Sequence, residues 1–114
     1  MIIAVDFDGT LCENKYPEIG VPKQSVIEAI KNMQKEGHEF ILWTCRDGKL
    51  LDQAIQFLNQ QGLHFSKINQ DSDMHLEKYT SRPRKIGADL YIDDKALSPD
   101  NFVEFSRMVD KWKY

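Results

Sequence analysis

The sequence predicts an α/β protein, a three-layer α/β/α sandwich around a mostly parallel sheet, and three observations carry that expectation. Apolar runs such as Ile2 to Phe7 show no polar alternation, the mark of strands buried on both faces. Between these runs lie segments whose apolar residues recur at helical spacing. Strands alternating with helices through right-handed crossovers produce a parallel sheet with helices packed on it. The third observation is length: 114 residues hold one such core, so 1–114 is read as a single domain without room for a cap.

Ile2 to Phe7 is the first strand. Gly9 to Pro22 carries Glu13, Asn14, Lys15, Pro17 and Gly20, and reads as an extended loop or short hairpin flap over about residues 11–21. From Pro22 the period changes. Val26, Ala29, Ile30 and Met33 fall on one helical face, Ser25 and Glu28 have capping-box spacing, and Gly37 ends the helix. Glu39 to Thr44 is the second strand, and Asp47 is placed to cap a second helix whose Leu51, Ala54, Ile55 and Leu58 repeat the spacing up to Gly62. Phe65 to Ile68 is a short third strand. Asn69 to Arg84 is polar, without a clear period, and has room for one helical turn. Ala88 to Ile92 is the fourth strand, and Ser98-Pro99-Asp100 opens a last helix with Phe102, Phe105, Val109 and Trp112 expected on the core.

Composition narrows the classes. Fifteen Lys and Arg against 18 Asp and Glu give a net charge of −3, and 41% of the residues are hydrophobic. That is enough apolar surface for a folded core, and it lacks the basic surplus of a general nucleic-acid binder, so nucleic acid is expected only as a substrate. No apolar run approaches the roughly 20 residues of a membrane-spanning helix, and the start Met-Ile-Ile-Ala-Val-Asp lacks the basic region of a secretory signal, so a cytoplasmic protein is expected. Cys12 and Cys45 read as free thiols, and His38, His64 and His75 have no metal-ligand spacing.

In parallel sheets ligands bind beyond the carboxyl ends of the strands, where strand order reverses. Those ends carry Asp6-Phe7-Asp8-Gly9-Thr10, Thr44-Cys45-Arg46 and Asp93-Asp94, with Lys85 just before the fourth strand. Four carboxylates brought together repel one another, and a bound cation relieves the repulsion. Oxygen-only ligands select a hard ion, for which Mg²⁺ is the natural choice. Mg²⁺ held by carboxylates suits phosphate chemistry, with Lys85 and Thr44 completing an anion cradle.

Asp6-Phe7-Asp8-Gly9-Thr10-Leu11 resembles the first motif of the haloacid dehalogenase superfamily, and the remaining elements follow that family's order: a Thr closing the second strand, a Lys before the fourth, and an Asp pair ending it. The resemblance spans most of the chain and implies a Rossmann-like sheet. It also implies Mg²⁺-dependent hydrolysis of phosphomonoesters through an aspartyl-phosphate. Asp6 would be the nucleophile, Asp8 the general acid and base, Thr44 and Lys85 the groups that hold phosphoryl charge, and Asp6, Asp8, Asp93 and Asp94 the metal-binding set, Asp8 through its carbonyl. Gly9 and Thr10 would shape the substrate-binding turn. The presence of Asp8 favours phosphoryl transfer over dehalogenation, since a halide leaving group needs no acid.

Arg82, Arg84 and Lys85 form a basic cluster, and Arg46 follows Thr44 closely. Arg46 and Arg84 are candidate substrate-phosphate ligands, the other reading being a solvated loop. Tyr16 on the flap reads as packing or as a stacking surface. Capless members of the family usually act on large substrates or are covered by a neighbouring subunit, so a phosphorylated macromolecule or a second copy is the expected partner. Two other readings remain, a receiver-like phosphoacceptor module and a non-catalytic binding domain; the first has its acidic pair on strand one, unlike this chain.

Overall fold

The computed structural model describes residues 1–73, 76 and 85–107. Four strands form one parallel sheet: β1 (Ile2–Val5), β4 (Glu39–Leu42), β5 (Lys67–Ile68) and β6 (Leu90–Ile92), in the order β5-β4-β1-β6. Between β1 and β4, in chain order, come β2 (Cys12–Lys15), β3 (Glu18–Pro22) and helix α1 (Gln24–Lys35). Helix α2 (Gly48–Gln60) connects β4 to β5, and helix α3 (Pro99–Ser106) follows β6. Among the described residues no cap domain interrupts the α/β core. Among the described residues no helix is long and apolar enough to cross a membrane.

The register explains the core. Ile3 pairs with Phe40 and Val5 with Leu42, so alternation puts these four on one face of the sheet. That face packs with Ile27 and Ile30 of α1, and Ala54 and Leu58 of α2, all at most 2% exposed. Phe7 joins them, edge to face with Phe57 at 6.0 Å between ring centroids. Each of the large side chains contributes about 1.5–3 kcal/mol by leaving water.

Several local readings change. Of the two readings of the flap, the hairpin holds: β2 and β3 form a two-stranded antiparallel pair. Helix α1 starts at Gln24, capped in position by Lys23 without a side-chain bond, so Ser25 lies inside the first turn and the Ser25–Glu28 capping box does not form. Ile27 takes the buried place and Ala29 is exposed, because the apolar stripe is centred on Ile27 and Ile30. Asp47 occupies the N-cap position of α2, but its carboxylate accepts no cap hydrogen bond. For α3 the reading holds: Ser98 Oγ accepts from the Asn101 amide and Pro99 opens the helix. Its core face holds only in part: Phe102 is 58% exposed, Phe105 is half-buried, and Val109 and Trp112 lie outside the described residues. Leu90, in the edge strand β6, is 48% exposed.

Candidate active site

Strand order reverses between β1 and β6, since the chain runs outward from β1 to β4 and β5 before returning to β1's other side. The crevice there is flanked by the residues that follow these two strands. Asp6 leaves β1 with its amide donating to the Ile92 carbonyl at 3.0 Å, which fixes the ends of the two strands side by side. Carboxylate oxygens of Asp6, Asp93 and Asp94 then lie within 4.8 Å of one another. Burial lifts the Asp6 carboxyl from its ordinary 3.8 to about 6, opposed by a hydrogen bond from the Phe7 amide and reinforced by the charges of Asp93, Asp94 and Asp8. Three hard oxygen donors of one charge, crowded at a cavity mouth, fit a divalent cation such as Mg²⁺.

The loop after β1 is shaped by short-range bonds. Thr10 and Leu11 amides both donate to the Phe7 carbonyl, and Gly9 turns the chain with φ +85°. Lys23 Nζ donates to the Gly9 carbonyl at 2.8 Å, tying the loop to the start of α1. Thr10 is 6% exposed and its Oγ1 is buried without a hydrogen-bond partner, so its side chain faces the interior and not the cavity. Gly9 is likewise buried, and both shape the turn rather than line the cavity.

After β4 the chain continues the strand direction for one residue, the Trp43 amide donating to the Val5 carbonyl. The Thr44 amide donates to Asn69 Oδ1 at 2.8 Å, while Thr44 Oγ1 accepts from the Arg46 amide at 3.1 Å. That acceptance leaves the Thr44 O–H free to donate outward. Asn69 holds this loop from a left-handed backbone conformation, φ 55°, which a short amide side chain tolerates. It was missed in the sequence, where only its place directly after a strand signals it.

Arg46 turns inward. It is 1% exposed, its Nε and Nη2 donate to the two Asp8 carboxylate oxygens at 2.8 Å each, and hydrogen bonding to Asp8 raises its pKa further. Its guanidinium is therefore committed to a carboxylate of the protein and presents no free fork to a substrate phosphate. Asp8 correspondingly lies outside the three-carboxylate cluster.

A cavity of about 700 Å³ opens over these groups, lined by Asp6, Asp8, Thr44, Arg46 and Asp93 together with Tyr16, Asn14, Trp43, Cys45 and Lys95. Lys95 is a second residue that sequence reasoning passed over; its amide donates to Asp93 Oδ1. Lys85 is not on the cavity wall. Its ammonium sits over the Tyr91 ring, 5.1 Å from the centroid, and Tyr91 packs against the cavity-wall residue Trp43 with centroids 5.4 Å apart and ring planes tilted by 51°. Arg84 and Arg82 lie outside the described residues.

A sequence model of the haloacid dehalogenase-like hydrolases matches residues 3–105. The solved structure of a conserved protein from Bacteroides thetaiotaomicron is similar to this chain, with 39% identity and a TM-score of 0.75 over 99% of this chain and 93% of that one. Among curated proteins none matches.

Proposed function

This chain belongs to the haloacid dehalogenase-like hydrolase family, and on that premise we propose that it is a Mg²⁺-dependent phosphomonoesterase working through an aspartyl-phosphate on Asp6. The observation that carries the reading is the meeting of Asp6, Asp93 and Asp94 within 4.8 Å, with Asp8 and Thr44 on the same cavity wall. Asp6, Asp93 and Asp94, with the Asp8 carbonyl, would hold the Mg²⁺. Bound there, the ion supplies neutralisation of the phosphoryl oxygens.

Asp6 attacks phosphorus in line and the bond to the leaving oxygen breaks, one hard displacement becoming two easier ones. Each Asp8 oxygen keeps one lone pair clear of the Arg46 fork, and a proton carried there goes to the departing alkoxide and is regained from the water that hydrolyses the acyl phosphate. The outward Thr44 O–H donates to a phosphoryl oxygen. In this reading Lys85 reaches the phosphoryl group by leaving the Tyr91 ring, and Lys95 is a second cation beside it. A cavity of about 700 Å³ suits a small phosphomonoester better than an extended chain.

The test is a panel of sugar phosphates, nucleotides, phosphopeptides and end-phosphorylated oligonucleotides, each assayed with and without Mg²⁺. Phosphate release that requires Mg²⁺ and prefers the small substrates is the expected result. No release from any of them would overturn the reading, and a preference for oligonucleotide ends or phosphopeptides would overturn its size argument.

A further inference from the structure

We propose that Arg46 is a positioning residue that couples the flap to the Asp8 carboxylate, so that Asp8 is held in place only while the flap is seated. The inference rests on the phosphatase reading for what Asp8 does, and on geometry alone for the coupling.

Arg46 touches several parts of the fold at once. Nε and Nη2 take both oxygens of Asp8, Nη2 also donates to the Glu18 carbonyl at 3.1 Å, and Nη1 donates to the Leu50 carbonyl at 3.3 Å. Two aromatic rings lie against the guanidinium, its carbon 5.1 Å from the Phe7 centroid and 5.2 Å from that of Tyr16. Glu18 opens β3 and Tyr16 stands in the hairpin turn, so the flap supplies one acceptor and one stacked ring.

A guanidinium buried to this degree is stable only while its donors are matched and its faces covered. Lifting the flap removes the Glu18 acceptor and the Tyr16 ring together and lets water in. The group is rigid and planar, so it cannot reorient to regain partners without changing its bidentate grip on Asp8. Flap seating and Asp8 orientation are thus one event. Lysine would keep the charge and lose both the fork and the stacking plane.

The test uses Arg46→Lys in the full chain. Hydrogen exchange of the flap amides over 12–22 should quicken about tenfold while those of α1 stay at the wild-type rate. Compared as kcat/KM, which reports acyl-phosphate formation and not the water step that both substrates share, hydrolysis should divide by leaving group: p-nitrophenolate departs without a proton, so p-nitrophenyl phosphate loses about fivefold or less, whereas an alkyl phosphate loses about a hundredfold. Tyr16→Ala changes a residue that is 57% exposed and so spares the core; it should show the same selectivity at about fivefold, and the double variant should lose no more than Arg46→Lys alone. Unchanged flap exchange, or equal losses on both substrates, would overturn the coupling. A wild-type protein that hydrolyses neither substrate would instead sink the phosphatase reading, and the exchange measurement would then decide the coupling by itself.

Discussion

The Asp94 carboxylate occupies the space that a side chain on Gly9 would need: a Cβ built there would stand 2.1 Å from Asp94 Oδ2. Gly9 also has φ +85°, which residues with a Cβ adopt at a cost of about 1–2 kcal/mol. Asp94 is exposed and can swing aside, so Gly9→Ala should fold with a modest loss of stability and displace Asp94 from the carboxylate cluster. Mg²⁺ affinity measured by calorimetry should fall about tenfold, as it should in Asp94→Asn, and the two changes together should not add. Wild-type affinity in Gly9→Ala would show that Asp94 does not serve the metal.

The raised titration of Asp6 gives a signed pH dependence. Asp6 ionises at about 6 in the folded protein against an ordinary 3.8, so between those values the folded state binds more protons than the unfolded one. Its contribution to the stability of the metal-free protein therefore falls as pH rises through this window, and the penalty is complete above it. Mg²⁺ competes with the proton on the same carboxylate. At ten times its dissociation constant it should stabilise by about 1.4 kcal/mol near pH 7.5 and by much less near pH 5. Melting curves with and without Mg²⁺ at both pH values check this; an equal Mg²⁺ effect at both would exclude Asp6 as a ligand.

Core and surface can be separated by two truncations. Leu58, 1% exposed in α2, should cost about 2–5 kcal/mol as Leu58→Ala, measured by denaturant unfolding. Phe102, 58% exposed in α3, should cost about 0.5 kcal/mol or less as Phe102→Ala. A large loss from Phe102→Ala would restore the original placement of α3 against the core.

The sheet, its helices and the acidic site were legible in the sequence because each has a local signal. Ile3 and Val5 lie in an unbroken apolar run, Ile30 and Leu58 recur at helical period, and Asp6, Asp93 and Asp94 sit just beyond strand ends, where parallel topology must gather them. What was not legible depends on contacts distant in sequence. The Arg46–Asp8 pair spans 38 residues and the Thr44–Asn69 bond 25, and nothing in either neighbourhood marks its partner. Arg46 reads as a phosphate ligand on charge alone; only the fold shows a carboxylate within reach. Helix α1 illustrates the finer limit. Ser25 and Glu28 have the spacing of a cap, yet the N-cap is Lys23, two residues early, and the spacing loses its meaning.

In the proposed mechanism Asp6 is the nucleophile of a Mg²⁺-dependent phosphatase. The most direct measurement is phosphate release from p-nitrophenyl phosphate with saturating Mg²⁺, compared between the wild-type protein and Asp6→Asn. An amide of the same shape cannot form the acyl phosphate, so the account predicts a fall in kcat of about 10³-fold or more with the fold intact. Asp6→Asn turning over at the wild-type rate would contradict it.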